Sequence, residues 1–231
     1  MCGRLNIADP NKLSEFLADF NIETKAQQFQ SGRFKRAAST ISIVHAQDNR
    51  ISVNPATWWL LLERTEQGFK PSKYTSFNTR YDKLNKRGSA GYLAYRQSRC
   101  IIPVNGFGET KFVNKKPVHY HDLRGVNKPI LMAGLYRQWQ HPVTGEKRNS
   151  CSVITLPAHD KLKHIHPKST PLMLPHEQSV IDSWLDHQQN STDIFEYLMQ
   201  PHIPQDLSAI EIDKPAAYNP IGDEQIIFAD Q

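Results

Sequence analysis

Apolar residues recur along this chain in two rhythms, one helical and one extended. Leu13, Phe16, Leu17 and Phe20 repeat at the three/four spacing of a single buried helix face. Asp9 ahead of Pro10 supplies an N-cap and a first-turn proline, so this helix is expected to begin at Pro10. A second stripe, Val180, Ile181, Trp184 and Leu185, predicts a helix over 175–187, and a shorter one is expected over 192–199. Between them the pattern changes to short β-rich runs at 40–44, 58–62, 100–104, 118–121, 130–135 and 152–156, with a late run at 209–212. Asn114-Lys115-Lys116 and Val143-Thr144-Gly145-Glu146 read as turns between such runs. Close spacing favours antiparallel pairing, because parallel strands need long crossovers. One helix is expected inside the series at 81–96, weakened by Gly88 and Gly91. No repeat, low-complexity tract or linker divides the chain. The pattern predicts one α+β domain over residues 1–231, a mostly antiparallel twisted sheet or open β-barrel with flanking helices.

The composition narrows the class. Hydrophobic residues make up 39% and charged residues 22% of the 231, which fits a folded domain and not a disordered chain. Neither a membrane span of about 18 apolar residues nor a secretory leader is expected. Three cysteines are too few for a disulfide framework. Together these features predict an intracellular, cytoplasmic protein with reduced thiols. A formal charge of +5 suggests an anionic partner without identifying it.

The cysteines are not equivalent. Initiator methionine is normally removed before a small residue, so the mature chain is expected to begin at Cys2. An α-amine titrating near about 7.7–8.0 would then sit beside a thiol on the adjacent carbon. Such a 1,2-aminothiol condenses with an aldehyde to an imine, and the thiol closes on the imine to give a thiazolidine. It can equally act as an N-terminal nucleophile on an amide. The alternative is a small residue at a frayed end. Cys100 and Cys151 lie in apolar strand contexts and are expected to be core.

Other groups could take part in chemistry. Glu109 follows an apolar strand and two glycines, where a partly buried carboxylate could serve as an acid or base. A solvated turn carboxylate is the plainer reading. Asn78 and Arg80 would share one face of an extended segment. His166 precedes a proline-fixed loop containing Lys168, a credible place for a general acid or base. Two His-x-His pairs occur, but without a Cys-x-x-Cys or a helical His-Glu-x-x-His no metal site is expected. Basic clusters (Arg33, Lys35, Arg36; Lys83, Lys86, Arg87; Arg96, Arg99; Lys161, Lys163, Lys168) are interleaved with Phe34, Trp58, Trp59, Phe77 and Tyr81. That is the pattern of single-strand nucleic-acid binding, or of solvated charge around a core.

Taken in order, these pieces resemble the SRAP family, the SOS response-associated peptidases or abasic-site processing proteins. The resemblance rests on five stretches: Met1-Cys2-Gly3-Arg4; Phe77-Asn78-Thr79-Arg80; Arg99 through Glu109; Ala133-Gly134-Leu135-Tyr136; and Ile154-Thr155 with Ile165-His166 and Pro171-Leu172-Met173-Leu174. It is strongest over 1–185. It implies that Cys2 forms a thiazolidine cross-link with the ring-opened aldehyde of an abasic site in single-stranded DNA. It further implies that Asn78 positions the reactants, Glu109 transfers protons, and His166 assists ring opening and cross-link reversal. Arg4, Arg80 and Thr155 would hold phosphates, with Lys168 standing where the family has an arginine. Autoproteolytic exposure of the cysteine is implied too, and no metal or organic cofactor is; a lyase-like activity and a monomeric state are expected. The sequence departs from the family at Phe34-Lys35-Arg36-Ala37-Ala38, where an amide and a proline are lost, and at Thr110, where an aromatic is usual.

Two other readings stay open. In one, Cys2 is the nucleophile of an amidohydrolase or glutamine amidotransferase-like enzyme, with Asn105-Gly106 as oxyanion donors. In the other, the chain binds single-stranded DNA without catalysis.

Overall fold

Asp9 caps the first helix as the sequence predicts: its carboxylate accepts the Lys12 N–H at 3.1 Å, and Pro10 opens the helix. The computed structural model describes residues 3–47, 50–114 and 116–231; Cys2, and Lys115 of the first predicted turn, lie outside the described residues. In chain order the elements are β1 (Arg4–Ile7), α1 (Pro10–Ala18), β2 (Gly32–Arg36), β3 (Thr40–Gln47), β4 (Arg50–Thr57), β5 (Leu62–Arg64), β6 (Phe69–Pro71) and β7 (Asn78–Arg80). There follow α2 (Tyr81–Leu84), α3 (Tyr92–Gln97), β8 (Arg99–Val104), β9 (Gly106–Val113), β10 (Lys116–Gly125), β11 (Ile130–Gln140) and β12 (Lys147–Leu156). The last are β13 (Thr170–Pro171), α4 (Gln178–Leu185), β14 (Leu207–Ile212) and β15 (Gln225–Ile227).

The architecture is α+β. Strands β11, β8, β3, β4 and β12 pair in that order, and β11 pairs again with β12, closing a five-stranded barrel. A second sheet runs β15-β14-β10-β9-β1-β2. One hydrophobic cluster joins the two, drawing Leu13 and Phe16 from α1, Leu5 and Phe107 from the second sheet, Val44, Ile101 and Val153 from the barrel, and Trp184 from α4. Both described cysteines, Cys100 and Cys151, are free thiols in that cluster, as their apolar contexts predict.

Several expectations are corrected. Residues 58–61 are not strand: Trp58 donates its N–H to Ser39 O and Leu60 to Ser76 O, so their backbone is satisfied by loops while the side chains are buried. The strand in this region is instead β4, which holds Pro55. The helix expected over 81–96 is two short ones, parted where Gly88 takes a φ of +81°. The helix expected over 175–187 is confined to α4, and residues 193–199 form a 3-10 helix. Pairing is mostly antiparallel, as expected, with β12 running parallel to both β4 and β7. Strands β2 and β15 carry too little apolar alternation to be anticipated.

Candidate functional site

The chain crosses between the two sheets at Asn105. Strand β8 belongs to the barrel and β9 to the second sheet, and β1 pairs with β9 so that Arg4 lies opposite Gly108. Period-two alternation places Glu109 on the same face as core residue Phe107, pointing inward. The loop between β12 and β13 carries His166 onto this carboxylate. The imidazole Nδ1 stands 3.5 Å from Glu109 Oε2 and donates to Thr110 O at 3.2 Å. A carbonyl only accepts, so Nδ1 carries the proton and Nε2 presents a lone pair.

Burial controls the protonation of this pair. Glu109 is 3% and His166 6% exposed. Desolvation pushes Glu109 up to about 7, and it pushes His166 down to about 4. An ion pair would move each value the other way, so loss of water outweighs mutual attraction here. Near neutral pH the imidazole is uncharged and the carboxyl is poised between its two states. Among the described residues Glu109 Oε1 has no hydrogen-bond partner. The plainer reading, a solvated turn carboxylate, is thereby excluded.

Arg4 backs this arrangement from the opposite face of β9. Its guanidinium donates to Glu109 O at 3.0 Å and lies 5.5 Å from the Phe34 ring and 5.6 Å from the Tyr120 ring. Tyr120 pairs with Thr110 across the β9–β10 hairpin. An aromatic ring thus stands on the strand adjacent to Thr110, a placement that only the hairpin register reveals and sequence reasoning missed.

Asn78, Arg80 and Thr155 form a second grouping. Parallel pairing sets Thr155 beside Arg80 and Val153 beside Asn78, and a buried hydrogen bond of 2.8 Å between Thr79 and Ser152 fixes the register. All three line one cleft of about 440 Å³. Arg80 forks onto Asp82 with two contacts of 3.0 Å. Lys168 is exposed, two residues beyond His166.

Two cations of the basic clusters, Arg99 and Arg96, are structural. Arg99 is 4% exposed and donates to the carbonyls of Trp184, Tyr95, Arg96, Asp186 and Gln189. Arg96 is spent on Leu84, Tyr92 and Asn85. Trp58 is fully buried and donates to Phe77 O, so it offers no face to a base.

Comparison with known proteins places this geometry. A solved protein from Bacteroides thetaiotaomicron has the same fold, with a TM-score of 0.71 at 19% identity over 92% of this chain and 93% of that one. A protein from Bordetella bronchiseptica does so with a TM-score of 0.68 at 15% identity, over 93% and 100%. Abasic site processing protein YoqW of Bacillus subtilis is 24% identical over 218 residues, 92% of each chain. Abasic site processing protein HMCES of Xenopus tropicalis is 26% identical over 168 residues, 63% of this chain and 50% of that one. Residues 1–216 match the sequence model of one family, and the chain belongs to it: the SOS response associated peptidases (SRAP).

Proposed function

We propose that this chain is an abasic-site processing protein in which Cys2, freed of Met1, captures the ring-opened aldehyde of an abasic site in single-stranded DNA. The observation that carries this reading is the buried Glu109–His166 pair beside the start of β1. Two peptide units hold the Cα of residue 2 within about 7.6 Å of that of Arg4, whose own guanidinium donates to the Glu109 carbonyl. The names carried by the relatives from Bacillus subtilis and Xenopus tropicalis support the same substrate.

The chemistry balances without redox. The α-amine adds to the aldehyde carbon, and the carbinolamine loses water to leave an imine. The thiol sulfur then adds to that carbon while its proton passes to nitrogen. Dehydration needs an acid and reversal needs a base, and a carboxyl titrating at about 7 supplies both at neutral pH. His166 Nε2 takes the C1′ hydroxyl proton as the sugar ring opens, while the protonated Glu109 carboxyl delivers one to the ring oxygen, and the same two groups serve reversal of the cross-link. Asn78 orients the amine and the opened sugar, and Arg4, Arg80, Thr155 and Lys168 hold the flanking phosphates. Autoproteolytic removal of Met1 uses the same groups. On this reading one intracellular, DNA-associated monomer folded from residues 1–231 suffices, with no cofactor.

The test is to mix the protein with single-stranded DNA bearing one abasic site, beside intact DNA and the Cys2→Ala variant. A heat-stable adduct only with the lesion and only with Cys2, accompanied by loss of Met1 in intact mass, is the expected result. Cross-linking by Cys2→Ala at the parent rate would overturn it.

A further inference from the structure

One face of the second sheet points away from the Glu109 side chain, and of its residues the proposed function uses only Arg4. Arg4, Asn6, Gly108, Asp122 and Arg124 share that face through the registers of β1 with β9 and β9 with β10. At its far end, past Asn6, lies a cavity of about 290 Å³ lined by Asn6, Lys12, Arg33, Asn105, Arg124 and Lys128. Four of those six side chains are cationic. The one carboxylate on the lining, Asp9, is committed as the α1 N-cap, and its backbone is clamped from both sides by the Asn105 amide at 2.9 and 3.2 Å.

The two arginines are held in place before any ligand arrives. Asp122 is 1% exposed and accepts from Arg33 at 3.0 Å and from Arg124 at 2.7 Å through the same oxygen. The Tyr218 ring packs on both guanidiniums, and its hydroxyl accepts from Arg124. One buried carboxylate and two arginines leave a net positive charge, and Lys12 and Lys128 add two more cations at the rim. A preorganised guanidinium pair with mobile ammonium groups suits the oxygens of a phosphate.

From these features we infer that this cavity is a phosphate subsite for a single DNA strand that reaches it from the side of Arg4 and Tyr120. Between the start of β1 and the cavity lie Arg4 and Tyr120, a half-buried cation and ring 5.6 Å apart, a pairing found on sequence-tolerant single-strand paths. Asn6 follows Cys2 by four residues, so the chain between them can span at most about 14 Å. The cavity therefore receives a backbone phosphate a few nucleotides from the reagent. The inference rests on the proposed DNA substrate but not on the covalent step.

Its test uses intact labelled oligothymidine, without a lesion, and anisotropy titrations over a range of salt. Lys12→Ala and Lys128→Ala are the informative variants, because Arg33 and Arg124 also neutralise Asp122 and their loss endangers the fold. The double variant is expected to melt like the parent and to lower the log–log salt slope by about 0.7, the share of the one single-strand phosphate the cavity receives. An unchanged slope overturns the inference. A second arm titrates inorganic phosphate: if it saturates the cavity while the oligonucleotide slope ignores both lysines, the site takes free anions and the assignment to DNA is wrong. Cross-linking of the parent to an abasic oligonucleotide, measured separately, reports on the covalent reading alone.

Discussion

The Nδ1 of His166 stands 3.5 Å from the Oε2 of Glu109, yet burial keeps the two from forming an ion pair. With Glu109 raised to about 7 and His166 lowered to about 4, the pair at neutral pH is a neutral base facing a half-protonated acid. That is the division of labour acid–base chemistry needs, and it follows from desolvation on a core-facing strand position.

The pair predicts a pH profile for adduct formation. Carbinolamine dehydration needs the protonated carboxyl, and addition needs the free α-amine, which titrates near about 7.7–8.0. Only a fraction of molecules holds both forms, so single-turnover cross-linking should peak between about pH 7 and 8. In Glu109→Gln the rate should fall and the limb near pH 7 should vanish, leaving only the amine's rise. A Glu109→Gln profile superimposable on the parent's would remove Glu109 from the proton transfers.

The same residue predicts a stability difference with a definite sign. Unfolded glutamate titrates near about 4.3, and the folded value of about 7 is higher, so the native state binds the proton more tightly. This contribution to stability is complete below the unfolded value and is lost as pH rises through 7. His166 has the opposite sign: its folded value of about 4 lies below that of unfolded histidine, so its contribution is lost as pH falls. It cancels when parent and Glu109→Gln are compared, since both carry it. Urea unfolding should therefore show the variant gaining on the parent by roughly 1 kcal/mol between pH 6 and pH 8.

How much of this was legible depends on the range of the forces involved. Helix α1 could be read because its signals, Asp9, Pro10 and the stripe to Phe20, lie within a few turns. The barrel strands β3, β8, β11 and β12 were anticipated as apolar runs, though several were drawn too short. Residues 58–61 misled because an apolar run is equally at home in a buried loop whose N–H groups find distant carbonyls. Site residues were found by motif, but their states were not. The burial of Glu109 is completed by a loop 57 positions downstream, a contact that no local pattern encodes. Arg99 reads as one of a basic cluster, and only the tertiary structure shows it wrapped in carbonyls.

Arg99 should matter to folding rather than to DNA. Its five carbonyl acceptors come from α3 and from α4 with the turn that follows it, so it fastens both helices to β8. Arg99→Met would leave those carbonyls without their donor and should cost about 3 kcal/mol in urea unfolding. Arg99→Lys should be nearly as damaging, because one ammonium cannot span the fork. Full stability in the lysine variant would show that charge, not geometry, is what the site requires.

Two glycines on β9 separate backbone from side-chain constraint. A Cβ at Gly106 would fall 2.2 Å from the carbonyl oxygen of Leu123, inside the β9–β10 ladder. At Gly108 it would meet Arg4 Nε at 2.7 Å and the Phe34 ring at 3.0 Å, both side chains. A carbonyl in a ladder cannot yield, whereas an arginine can swing. Gly106→Ala should therefore be the more destabilising in thermal unfolding, at or above the roughly 3 kcal/mol upper range for overpacking, with Gly108→Ala nearer 1 kcal/mol. Gly108→Ala should nonetheless weaken binding of single-stranded DNA, since the displaced group is Arg4. Equal melting losses for the two would contradict the close packing at Gly106.

Arg80 gives the last prediction, because the structure shows what its guanidinium must give up. Both contacts run to Asp82, and the arginine side chain is 69% exposed. Exposed pairs of this kind hold about 0.2–1 kcal/mol. A DNA phosphate arriving at the 440 Å³ cleft must therefore compete with Asp82 for the same fork. Asp82→Asn keeps the shape and removes the competing charge, so single-stranded DNA should bind more tightly, by up to about fivefold at low salt. Arg80→Ala should weaken binding and lower the log–log salt slope by about 0.7, the share of one single-strand phosphate. In the Arg80→Ala background, Asp82→Asn should retain only a small effect, because the competition it relieves no longer exists. If the two substitutions instead act additively, Asp82 repels DNA directly, and the fork between it and Arg80 is not what tunes affinity.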